Sequence, residues 1–281
     1  MEVSIIGSGT MATGITQVLC VNDQVTKINL IARNDNKALL AKAVCEKSIS
    51  RLVRKGKLTE AQSINALEKI YPSSLLSSVI ASDLVIEAVA EDFIIKMELF
   101  SELYNYVKGS TIIASNTSSL SITAFGSVLP NSKNVVGLHF FNPAPVMELV
   151  EIVVGHETSE DVVQYLKVFT QNLGKSPVVV QEAPGFVVNR MLIPMINEAV
   201  SILAEGIATA VDIDKAMKFG AHHPMGPLAL ADLIGNDVNL SIMETLYSET
   251  GDPKYRAHPL LRKMVRANHL GRKTKKGFFE Y

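Results

Sequence analysis

Two kinds of residue in this chain could do chemistry near neutral pH. His139 ends the apolar run Val135–His139, and Glu151 stands twelve residues on, inside a second apolar run. An imidazole titrates near neutrality, and a carboxylate that orients its ring completes a general acid–base pair. Glu151 is flanked by Val150 and Ile152–Val154, so it is expected to be partly buried and to need a partner. The alternative is a histidine that serves the core alone. The second kind is a backbone cradle, Gly7-Ser8-Gly9-Thr10-Met11-Ala12, which follows an apolar run and opens a helical one. That spacing matches a dinucleotide fingerprint. Gly7 allows a tight turn, Gly9 lets backbone approach a pyrophosphate, and a small residue at 12 lets helix and strand pack closely. The helix N-terminus then turns unpaired N–H groups toward the phosphates.

The residues about 20 positions past Ala12 bear on which dinucleotide. NAD-binding chains carry a carboxylate there to accept hydrogen bonds from the adenosine ribose. Here Ala32-Arg33-Asn34-Asp35 occupies the place, with an arginine beside the missing carboxylate. A guanidinium can take a 2′-phosphate in bidentate fashion. NADP is therefore favoured and NAD remains possible, with Asp35 reaching back to the ribose.

These residues need a frame. Short β-branched runs (Val3–Ile6, Ile28–Ile31, Leu84–Ala88, Thr111–Ala114, Val135–His139, Leu149–Val154, Val178–Val180) alternate with helix-length segments such as Met11–Asn22, Asn36–Arg54 and Ile94–Tyr106. Near-continuous apolar strands between helices imply a parallel sheet covered on both faces. From Pro184 onward the period is helical throughout: Phe186–Ala204, Val211–Phe219, Leu228–Tyr247 and Leu260–Asn268. The fold expected is α/β, a Rossmann-type, doubly wound and mostly parallel sheet over residues 1–182. A smaller all-helical domain over 183–281 follows it.

Composition narrows the partners. The chain has 281 residues, 27 Lys+Arg against 28 Asp+Glu, and a formal charge of −1, which argues against a nucleic-acid binder. Its two cysteines, Cys20 and Cys45, support neither a disulfide scaffold nor a metal site, and His222-His223 lacks a third ligand at a recognisable spacing. No apolar segment reads as a membrane span, since Phe186–Ala204 carries Asn189, Arg190, Asn197 and Glu198. With no basic leader at its start, the protein is expected to be soluble and cytoplasmic.

Longer motifs carry a resemblance. Gly-Thr-Met at 9–11, Ala-Ser-Asn-Thr-Ser-Ser-Leu-Ser-Ile at 114–122 and His-Phe-Phe-Asn-Pro-Ala-Pro-Val-Met at 139–147 resemble the L-3-hydroxyacyl-CoA dehydrogenase family. So do Glu-Ala-Pro-Gly-Phe-Val-Val-Asn-Arg at 182–190, His-Pro-Met-Gly-Pro at 223–227 and the Gly-Arg-Lys tail at 271–273. The similarity runs from end to end and is closest to bacterial 3-hydroxybutyryl-CoA dehydrogenases. The resemblance implies that His139 exchanges the proton of the 3-hydroxyl while hydride moves to or from the nicotinamide, and that Glu151 holds its ring. It implies that Ser118 and Asn189 hydrogen-bond the oxygen-bearing groups of the substrate. It further implies that Glu91, Lys96, Asn116, Asn142 and, more weakly, Lys273 lie along the cofactor. From spacing alone, Glu91 and Lys96 read first as a surface pair at near-helical spacing, and Lys273 reads equally as part of a basic tail.

Ser48, Arg51 and Lys55 fall on one helix face, a strip that could hold coenzyme A phosphates or simply be solvated. The resemblance favours the first use and implies a homodimer paired through the helical domain. The chain departs from the family at Ala12, at Ala32-Arg33 and at Asn268-His269, where bacterial members have Gly-Trp. The activity expected is acetoacetyl-CoA to (S)-3-hydroxybutyryl-CoA. The alternatives are a non-catalytic nucleotide-binding relative or a dehydrogenase of free hydroxy acids.

Overall fold

A computed structural model describes residues 1–281, which divide into two compact units, Met1–Glu182 and Ala183–Tyr281. In the first unit the chain runs β1 (Glu2–Ile6), α1 (Thr10–Cys20), β2 (Lys27–Ile31), α2 (Asp35–Arg54), α3 (Glu60–Glu68), β3 (Ile70–Ser73), β4 (Leu84–Glu87) and α4 (Phe93–Leu103). It continues with β5 (Ile112–Ser115), α5 (Ile122–Gly126), β6 (Val135–Phe140), β7 (Leu149–Val154), α6 (Glu160–Asn172) and β8 (Ser176–Gln181). The eight strands form one sheet in the order β3-β2-β1-β4-β5-β6-β7-β8. Its central strands are apolar on both sides: Val3, Ile5, Leu84, Val85, Ile86, Val136 and Leu138 are all completely buried. Helices α1 and α2 contribute Ile15, Leu19, Cys45 and Ile49 to the same core.

One pairing breaks the parallel rule. β6 and β7 are antiparallel, with Leu138 opposite Ile152 and His139 opposite Glu151, and β8 then runs parallel to β7. Strand β3, Ile70-Tyr71-Pro72-Ser73, was not among the expected strands because proline usually ends one. It occupies the sheet edge beside β2, where a strand tolerates the missing donor.

The second unit is helical: α7 (Val188–Ala204), α8 (Ala210–Gly220), α9 (Pro227–Ile234), α10 (Asn236–Thr250) and α11 (Pro259–Arg266). Two expectations need correction here. The run Leu228–Tyr247 is two helices, broken at Gly235, whose φ of +110° no helix accommodates. Phe186 lies outside α7, in a left-handed conformation at φ 52°. The closing segment of the chain is held on α9 by the buried carboxylate of Asp232. It accepts the Phe278 and Phe279 N–H groups and the Tyr281 hydroxyl, and also the Asn236 amide of α10.

Candidate active site

Strands β1, β4, β5 and β6 run parallel, so their carboxyl ends share one edge of the sheet, where open α/β folds present their ligands. β7 returns in the opposite sense and brings its third residue, Glu151, to that edge. His139 Nδ1 and Glu151 Oε2 are 2.9 Å apart, and both side chains are buried. A carboxylate only accepts hydrogen bonds, so Nδ1 carries the proton and Nε2 is the ring nitrogen that can exchange one. The Phe141 ring lies 4.4 Å from the imidazole, centroid to centroid, and packs its side. The antiparallel reversal of β7 is what makes the pair: cross-strand partners sit within reach by construction.

The glycine loop closes the first strand. At Gly7, φ is +139° and an added Cβ would fall 2.3 Å from the Ala88 carbonyl oxygen, so only glycine fits. At Gly9 an added Cβ would meet no atom of the protein within 4 Å. The first turn of α1, Thr10, Met11 and Ala12, follows directly. That turn has no side-chain cap and no acidic residue, so its N–H groups await acceptors from outside the helix. Ala12 is completely buried and would lie 3.2 Å from a Cβ on Gly7, the close packing that a small third residue permits. These features fit a dinucleotide pyrophosphate.

Beside this loop stands a second polar cluster. Glu91 Oε1 accepts the Ser118 N–H at 2.7 Å, the Ser118 hydroxyl at 2.9 Å and the Thr117 hydroxyl at 2.7 Å. Its other oxygen is 3.3 Å from Lys96 Nζ. Burial pushes the Glu91 carboxyl up, but the Lys96 ammonium and the Thr117 and Ser118 donors outweigh it and hold it below the usual glutamate value. Lys96 is 1% exposed, which overturns the surface-pair alternative. Asn116 Oδ1 accepts the Phe140 N–H at 2.8 Å and so ties the β5 loop to the backbone beside His139. Asn142 precedes a cis peptide to Pro143 and is exposed.

The remaining candidates are spread more widely. Ala32 is buried at the end of β2 and Arg33 is exposed beside it. Asn34 caps α2, its Oδ1 accepting the Lys37 N–H at 2.9 Å. Ser48, Arg51 and Lys55 lie along α2, with Lys55 at its C-terminal cap. Asn189 and Lys273 belong to the second unit: Asn189 in the first turn of α7, Lys273 with its ammonium paired to Asp237.

Two contributors were missed from sequence. Glu87, the last residue of β4, is completely buried and pairs with Lys96 at 2.5 Å. Its setting in Leu84-Val85-Ile86-Glu87-Ala88 carries the same signal that singles out Glu151, a carboxylate inside an apolar run. Lys175 donates to the carbonyls of Ala144 and Met147, both at 2.8 Å, and pins the loop that follows β6. Burial lowers its pKa, against the opposing charge of Glu148. Nothing local marks this lysine in the sequence, because its partners are backbone atoms about 30 residues away.

Comparison with known proteins agrees with this geometry. Residues 2–183 match the 3-hydroxyacyl-CoA dehydrogenase NAD-binding domain, and residues 185–281 match the C-terminal domain of the same enzymes. A 3-hydroxybutyryl-CoA dehydrogenase of Clostridioides difficile is 49% identical, covering 100% of this chain and 99% of its own. The human mitochondrial hydroxyacyl-coenzyme A dehydrogenase is 38% identical over 100% of this chain and 91% of its own. The crystal structure of (S)-3-hydroxybutyryl-CoA dehydrogenase from Ralstonia eutropha superposes with a TM-score of 0.95 at 44% identity, covering 100% and 98% of the two chains. With both of its units matched and its sheet, glycine loop and histidine–glutamate pair in place, this chain belongs to the 3-hydroxyacyl-CoA dehydrogenase family, whose members are nicotinamide-dependent dehydrogenases.

Proposed function

We propose that the protein interconverts acetoacetyl-CoA and (S)-3-hydroxybutyryl-CoA, with NADP(H) preferred over NAD(H). The observation that carries this reading is the buried His139–Glu151 pair at the ligand edge of a dinucleotide-binding sheet. The nicotinamide, when bound, supplies or accepts the hydride. His139 Nε2 gives a proton to the 3-oxygen in reduction and takes it back in oxidation, while Glu151 holds the ring by Nδ1. Ser118 and Asn189 are the candidate hydrogen-bond partners of the substrate oxygens. Glu91, Lys96, Asn116 and Asn142 are those of the nicotinamide half, and Lys273 is a weaker one. The preference for NADP rests on Ala32, which offers the ribose no carboxylate, and on the exposed Arg33 beside it.

Parallel assays at 340 nm with acetoacetyl-CoA and either NADPH or NADH test both levels of this reading. Turnover with both cofactors and a kcat/KM several-fold higher for NADPH is the expected result. A higher value for NADH overturns the cofactor preference alone. No turnover with either, or turnover of free acetoacetate at the same rate, overturns the substrate.

The coenzyme A end is assigned to α2. Leu40, Val44, Ser48, Arg51 and Lys55 recur at spacings of four, four, three and four along the helix, which aligns them on one stripe. Leu40 and Val44 are exposed apolar side chains, 58% and 49%, while the far end of the stripe is cationic. An apolar stretch leading to cations suits a thioester arm ending in phosphates. Lys55→Glu is expected to raise the KM for acetoacetyl-CoA about tenfold with kcat nearly unchanged, the cost of reversing one charge against a phosphate. An unaltered KM would remove Lys55 from the site. The protein is also proposed to pair with itself through the helical unit, where Met191, Ile207, Val211 and Phe219 leave large apolar surfaces exposed. A monomer in sedimentation equilibrium would exclude that.

A further inference from the structure

The buried cluster at the end of β4 holds one charge more than its internal balance requires. Glu87 accepts hydrogen bonds on both oxygens. Lys96 Nζ at 2.5 Å and the Val89 N–H at 2.7 Å reach Oε1, and the Ser115 hydroxyl at 2.6 Å reaches Oε2. The Lys96 ammonium and the Val89 N–H can only donate, and the Ser115 hydroxyl, which already accepts the Thr117 N–H, gives its hydrogen to Oε2, so every bond Glu87 receives suits an ionised carboxylate. Lys96, almost completely buried, is thereby neutralised by Glu87 alone. A second carboxylate, Glu91, then adds its own charge 3.3 Å from the same ammonium. It is held ionised by Thr117 and Ser118 as well. Two carboxylates and one ammonium leave the cluster at −1, with Glu87 and Lys96 buried and Glu91 on the open side.

A buried lysine needs one counter-charge, not two. The surplus negative charge has a use if something positive comes to lie beside it. The oxidised nicotinamide ring is a cation and the reduced ring is neutral, so a fixed negative charge binds one form more tightly than the other. We infer that Glu87, without touching the cofactor, sets the net charge of the Glu87–Lys96–Glu91 cluster and thereby biases the enzyme toward the oxidised coenzyme. The inference rests on the proposed placement of Glu91 and Lys96 along the nicotinamide half. A unit charge within roughly 10 Å, at an effective dielectric of about 20, corresponds to about a tenfold preference. Tighter binding of the oxidised form lowers the potential of the bound couple. Glu87 is thus a positioning residue for charge, as Glu151 is for the imidazole.

The test is the ratio of dissociation constants for the oxidised and reduced coenzyme, read by nucleotide fluorescence and titration calorimetry on the intact enzyme. Glu87→Gln keeps the shape of the side chain and takes the cluster from −1 to zero. It is expected to weaken NADP⁺ about tenfold while changing NADPH less than twofold, raising the bound potential by about 30 mV. Lys96→Met, which takes the cluster to −2, is expected to move the ratio the other way. The double variant returns to −1, and its ratio should return toward that of the wild type even though both affinities fall. A purely structural role for Glu87 would shift both forms together. Should Glu87→Gln not fold, Glu91→Gln makes the same change of charge on a more exposed side chain and is expected to act in the same direction. An unchanged ratio in Glu87→Gln or Glu91→Gln, with Lys96→Met still altering affinity, overturns the inference and leaves the cofactor placement standing. Lys96→Met with both affinities unaltered overturns the placement itself.

Discussion

His139→Asn is expected to lower kcat for acetoacetyl-CoA reduction by about 10²–10⁴-fold while leaving cofactor affinity within about twofold. Asparagine keeps polar atoms near Glu151 but cannot give up or take a proton near neutral pH. The loss therefore falls on the proton step rather than on binding. The cofactor cradle stands on other residues, the Gly7–Ala12 loop and the first turn of α1, and is left intact. Retention of the folded state is also expected, because the amide of asparagine still offers Glu151 a donor and avoids stranding a buried carboxylate, a change that would cost several kcal/mol. Steady-state rates at 340 nm, cofactor titration and a melting curve check the three parts separately. A rate within threefold of wild type would remove the imidazole from the chemistry.

How much of this could be read from the chain alone differs by element. The strands of the first unit are legible because a doubly covered sheet needs continuous apolar runs, and Leu149–Val154 coincides with β7. The antiparallel turn of β7 is not legible, since periodicity carries no strand direction, and yet that turn sets His139 opposite Glu151. Pro72 hides β3 by the ordinary rule against proline in strands, which fails at a sheet edge. Lys96 misleads for a different reason. A lysine four residues into a helix is nearly always solvated, and only the spatial neighbourhood of Glu87 explains its burial.

The departures from the family pattern acquire physical accounts of unequal weight. Asn268, where the resemblance implies glycine, has a φ of 57°, the left-handed conformation that asparagine tolerates better than other non-glycine residues. His269, where the resemblance implies tryptophan, uses its backbone: the N–H donates to the Met264 carbonyl and its carbonyl accepts from the buried Asn236. These two changes concern the path of the chain after α11. Ala32 is different in kind. It is buried and its N–H donates to the Ser73 carbonyl, so the fold itself disfavours an unpaired carboxylate at this position.

Glu151→Gln should reduce kcat by about 10²–10⁴-fold, comparable to the loss from misorienting the imidazole of a catalytic triad. The substitution is isosteric in a site that is 1% exposed, so packing changes little. What changes is the character of the partner. A carboxylate compels Nδ1 to carry hydrogen, whereas an amide can turn its NH₂ toward the ring and accept the opposite tautomer. The negative charge that stabilises a protonated ring is lost at the same time. Both effects act through His139, and so the two residues should behave as one unit. The His139→Asn/Glu151→Gln double variant is therefore expected to be about as slow as His139→Asn alone, not slower by the product of the two losses. Multiplicative losses would mean that Glu151 serves the reaction, or the fold, by a route that does not pass through the imidazole.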